Sequence, residues 1–170
     1  MVGWTKLSVR AGAKVVAARL LTAERTIFGG GTALGAAIDL GMSLLAHNPF
    51  KGIRRVIDIS GDGWNNKARA PSQARDEAIA RAVTINSLAI TDFGNGLIDH
   101  FRNEVIGGPG AFAIKADGFN DLALPVRKKL LQELNVSRRS GLNQIGANFR
   151  PRYLPPRRPQ VPASGAGRHR

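Results

Sequence analysis

An apolar, β-branched run that stops abruptly at a glycine-aspartate turn limits this chain more than any other stretch. Arg54 to Asn66 reads RRVIDISGDGWNN. Val56, Ile57 and Ile59 favour a buried strand, and Ser60-Gly61-Asp62-Gly63 is turn chemistry that lifts Asp62 off the strand tip. Open α/β sheets keep their ligands at that end of their strands. A second stretch, GGGT over Gly29 to Thr32, opens a helix upstream. Its glycines free the backbone for positive φ or for close approach to a ligand, and Thr32 is a good N-cap residue.

The other elements follow from periodicity. Trp4 to Val9 alternates weakly and reads as a strand remnant or an extended lead-in, and Lys14 to Leu21 has helical spacing. Leu34, Ile38, Met42 and Leu45 recur as one buried stripe of a helix that His47-Asn48-Pro49 ends. After the strand at Arg54 to Ser60, Pro71 starts a helix running to about Ala82. VTINSLAI, Val83 to Ile90, is the next strand. Leu97 to Ile106 forms a short amphipathic helix, Gly107 to Gly110 a turn and Ala111 to Lys115 a short strand. Phe119, Leu122, Val126, Leu130 and Leu134 step along a last helix, in which Pro125 should cost a hydrogen bond or force a kink. Strands alternating with helices specify βαβ units and a parallel sheet with helices on its faces. Only three strands are convincing, few for such a sheet.

Length and charge set the organisation. The 170 residues suit one domain with a sizeable core. Of the net charge of +13, most belongs to the end of the chain: residues 135–170 hold eight arginines and none of the 12 acids. That stretch, with its five prolines, cannot bury enough apolar surface to offset ordering entropy, so a domain over residues 1–134 and a disordered basic tail over 135–170 are expected. Cysteine is absent, which excludes disulfides and thiolate metal sites. No membrane span or signal peptide is visible, so the chain as written reads as cytoplasmic.

FGGGTALGAAID, RRVIDISGDGWNN, the VTINSLAI strand, FRNEVIGGPGAF and the closing ADGF with RKKLLQEL together resemble a bacterial family of unknown function with the fold of von Willebrand factor type A domains. The resemblance runs from about Trp4 to Leu134. It implies a doubly wound, Rossmann-like parallel sheet and a metal-ion-dependent adhesion site, where Mg²⁺ takes oxygens from three loops and a partner's carboxylate completes the shell. Thr32 and Asp62 match two of those loops, with Gly30, Gly31, Ser60, Gly63, Asn65 and Asn66 as the rim. The D-x-S-x-S loop of the first strand does not occur in this sequence. The expectation is therefore a partial sheet lacking the first strands, a truncated family member whose Thr32 and Asp62 are vestigial ligands. No cofactor is expected, and Mg²⁺ only if the missing N-terminal ligands are supplied. A missing leader would make the location exported. The resemblance further implies an unknown protein ligand, the absence of an apolar span argues against a membrane partner, and self-association through an exposed sheet edge is an open alternative.

Plainer readings stand beside these. Thr32 is also an ordinary N-cap, and Asp62-Gly63 ordinary turn chemistry. Asn65 and Asn66 shape the loop rim or cap the turn. Asp58, inside an apolar strand, needs a partner, an arginine or a backbone amide. GGGTALG lacks the lysine of a phosphate loop, His47, His100 and His169 lack metal-ligand spacing, and no nucleophile elbow occurs, so an enzyme is not expected. In a rival reading the tail binds nucleic acid or an anionic surface through Arg138, Arg139, Arg150, Arg152, Arg157 and Arg158, and in another the chain is a gene fragment without function.

Overall fold

Val83–Thr91 contains no charged side chain, and all nine of its residues are buried. Such a strand needs neighbours on both edges and cover on both faces. The computed structural model, which describes residues 2–7, 10–24, 30–91 and 96–148, provides both. This strand, β2, pairs in parallel with β1 (Arg55–Gly61) on one side and with β3 (Ala113–Asp117) on the other, in the order β1-β2-β3. Ile57 faces Ile85 and Ile59 faces Ser87 across the first pair, and Ser87 faces Ala113 across the second. The sheet of the described residues is thus parallel throughout, with helices flanking it, as the alternation of elements dictates.

One face carries the larger core. Helices α2 (Leu34–Ala46) and α3 (Pro71–Ala80), and α4 (Leu97–His100) with its π-helical continuation Phe101–Val105, pack there. Leu34, Ile38, Ile57, Ile59, Ile85 and Phe101 join in one cluster, each large apolar side chain contributing about 1.5–3 kcal/mol. Helix α2 lies so close to β1 that a Cβ on Gly41 would stand 2.9 Å from Ile57, so only glycine fits without displacement. Helix α1 (Arg10–Thr22) precedes this layer, and residues 2–7 before it form no strand, so the weak alternation from Trp4 reads as the extended lead-in; Val9 lies outside the described residues. No helix among the described residues is long and apolar enough to cross a membrane.

The opposite face is covered by α5 (Ala123–Asn148), where Leu88, Ile90, Phe112, Ile114 and Ala116 form a second cluster with Leu122 against it. A polar group sits beside that cluster. Lys129 is only 3% exposed and forms an ion pair with Asp58, so the partner of that strand carboxylate is a lysine, not the expected arginine or backbone amide. Asn86 donates to Glu133 at 2.7 Å and accepts the Phe112 amide at 3.2 Å. Burial draws the Lys129 ammonium below its usual range, and Glu133 opposes that shift.

Two further expectations need correction. Pro125 costs no hydrogen bond, because it lies in the first turn of α5, where amides have no intrahelical acceptor. Helix α5 also runs to Asn148, well beyond Leu134. Arginine, leucine and glutamine are good helix formers, and extending an existing helix avoids the cost of nucleation. The start expected for the tail, Asn135, is therefore helical; residues 149–170 lie outside the described residues.

Candidate functional site

Asp62 leaves the carboxyl end of β1 on a loop that reaches Pro71, and that loop is stitched to the segment before α2. The Thr32 carbonyl accepts the amides of Asn66 at 2.9 Å and Lys67 at 3.2 Å, while the Thr32 amide donates to the Asn66 side-chain oxygen at 2.8 Å. Gly63 completes the contact, since a Cβ there would lie 2.6 Å from the Thr32 hydroxyl oxygen. Gly31 has φ of +125°, and a Cβ on it would meet the Lys67 side chain at 2.6 Å. The glycine run therefore serves a close approach, as its composition suggests. Around it Gly30 is open and exposed, and Ser60 is exposed at the end of β1.

Thr32 does not cap α2. The N-cap is Ala33, which makes no side-chain capping bond. Asn65 takes that part instead, its side-chain oxygen accepting the Leu34 amide at 2.8 Å and its amide group donating to the Arg69 carbonyl at 3.4 Å. Both asparagines thus bind the two loops together, which their sequence neighbours could not reveal because the partners lie in another segment.

His100, at the end of α4, belongs to the same rim. Its Nε2 accepts the Asn65 amide at 3.3 Å, and its ring stacks on Trp64 at 4.6 Å with 28° between the planes. Burial lowers the imidazole pKa, with Glu104 opposing, so the neutral form that can accept at Nε2 is favoured. The sequence gives His100 no metal-ligand spacing, and its place in the rim rests on the stack with Trp64, 36 residues away in the chain.

A family model described as Protein of unknown function (DUF1194) matches residues 1–138. The chain belongs to this family. Its match spans the whole sheet, both loops of the rim and the first part of α5. No curated protein and no solved structure matches the chain.

In this family member Arg69 is the paired charge of the rim. Arg69 donates to Asp39 on α2 and to Glu77 on α3, bracing the loop against both helices. The Arg69 hydrogen bond holds the Glu77 carboxyl below its usual range. Asp62 is exposed and makes no ion pair among the described residues. A hexacoordinate divalent ion needs more than the hydroxyl of Thr32 and the carboxylate of Asp62, and no cluster of three or more histidines, aspartates or glutamates suited to a metal occurs among the described residues. Of the arginines assigned to an anionic partner, Arg138 and Arg139 fall on the far part of α5, and Arg150, Arg152, Arg157 and Arg158 lie outside the described residues.

Proposed function

We propose that this chain is a von Willebrand factor A-like, non-catalytic module that binds a protein partner at the carboxyl end of its sheet, with a cation site too poor in ligands to hold Mg²⁺ tightly. The observation that carries this reading is the packing of Gly63 on the Thr32 hydroxyl. It joins the strand-end Asp-Gly turn to the threonine loop, the pair of loops that such modules place around their ion. The three-stranded parallel sheet is consistent with part of such a fold.

Two features favour binding over catalysis. Polar side chains of the rim are occupied in holding the loops, Asn65 and Asn66 on the α2 segment and His100 on the Asn65 amide. Trp64, half exposed beside Asp62, offers the kind of aromatic surface that anchors protein interfaces.

Calorimetric titration with MgCl₂, supported by thermal shifts with and without chelator, tests the reading. Wild type and Asp62→Ala should both lack a saturable response in the micromolar range. A micromolar response that Asp62→Ala abolishes would mean that the ligand shell is complete and would overturn the reading.

A further inference from the structure

Among the described residues the outer edge of β3, at the opposite side of the sheet from β1, has no neighbouring strand, and a groove of about 1150 Å³ follows it. Ile114 of β3 forms its floor, with Leu124 and Leu131 of α5, both at least half exposed, as the apolar wall. Its cationic groups come from three elements. Arg127 and Lys128 project from α5, Lys115 from β3, and Arg102 from the π-helical turn, against the single carboxylate of Asp121.

Successive residues of a strand face opposite sides of a sheet, which sorts these groups. Ile114 is buried in the cluster under α5, so Lys115 emerges on the other face, toward Arg102. The groove therefore wraps the edge, with cations above and below it. Arg102 and Lys115 have partners, Asp99 at 3.2 Å and Asp117 at 2.6 Å, but these pairs are exposed and of the weak kind that a ligand can exchange. Arg127 and Lys128 make no ion pair among the described residues. Alternate N–H and C=O groups of an edge strand also point outward without a ladder partner, the template for adding an extended chain.

We infer that the β3 edge accepts an extended acidic peptide as an added strand, its carboxylates meeting Arg127 and Lys128 on one face and Lys115 and Arg102 on the other. Charge complementarity selects an acidic occupant, and the apolar wall selects one that alternates acidic with aliphatic residues. Single-stranded nucleic acid fits less well, because among the described residues no aromatic side chain lines the groove for bases to stack on. This edge lies across the sheet from β1, whose end carries Asp62, and the groove shares no lining residue with the rim, so the inference and the proposed function can fail independently.

Fluorescence anisotropy with the full chain tests it, using a labelled peptide of about eight alternating Glu and Val residues, long enough to span an edge strand. A second probe carries N-methyl groups on alternate amides, and a third is oligothymidylate of matching charge. Saturable binding of the first peptide is expected, weakened about tenfold or more both by the surface variant R127E/K128E and by N-methylation. Circular dichroism should show the variant folded, since both positions are exposed. The inference is overturned by absence of binding, by binding indifferent to the charge reversal, or by tighter binding of oligothymidylate. Binding indifferent to N-methylation also overturns it, because an added strand must use its backbone amides.

Discussion

The side-chain oxygen of Asn65 accepts the amide of Leu34 at 2.8 Å across 31 residues of sequence. Helix α2 is thus capped by a group from another loop, while its own N-cap residue, Ala33, contributes no side chain. Asn65→Ala should cost about 1–2 kcal/mol, the usual loss for a cap that leaves a part-buried amide unsatisfied. Urea denaturation measures the cost, and hydrogen exchange at the Leu34 amide reports its location. Unchanged exchange there would show that the cap does not hold the helix start.

The His100 imidazole introduces a pH dependence. Burial lowers its folded pKa below 6.5, so the unfolded chain binds the proton more readily. The stabilisation from the neutral ring is complete above about pH 6.5 and fades as pH falls through the folded value. Between about pH 7.5 and pH 5 the thermal midpoint of the wild type should fall further than that of His100→Gln. An NMR titration of the ring that gives an ordinary histidine midpoint would contradict this.

Lys129 fastens α5 to the sheet through Asp58. Removing the ammonium leaves a strand carboxylate unpaired, and because the Asp58 side chain is 36% exposed, Lys129→Ala should cost about 2 kcal/mol, below the full penalty of a deeply buried pair. The double variant D58N/K129M, which removes both charges and keeps the volume, should recover much of that loss. Denaturation curves of wild type, D58N, K129M and D58N/K129M form a double-mutant cycle, and a coupling energy near zero would remove the pair as the fastener.

Local chemistry made the strands legible. The β-branched runs at Val56 and Val83, the turn at Asp62 and the apolar stripe of α2 all act through neighbours within a few residues. What could not be read depends on contacts between distant segments. Asp58 announced its need for a partner, but Lys129 is supplied by a helix that crosses the far face, and the reach of Asn65 to Leu34 exists only after two loops have met. The Pro125 error has a different origin, since a start of α5 one turn too early turns a harmless first-turn proline into a helix breaker. Rim membership was partly legible for Thr32 and Asp62, whereas His100 required the stacking of Trp64 to disclose it.

Anchoring the loop after β1 to three helices has a mechanical result. A push on the exposed surface at Asp62 and Trp64 passes through Leu34 into α2, through Arg69 into α3 and through His100 into α4. The landing ground for a visitor is therefore stiff rather than pliant, and any load placed on it is shared by the entire helical layer beneath.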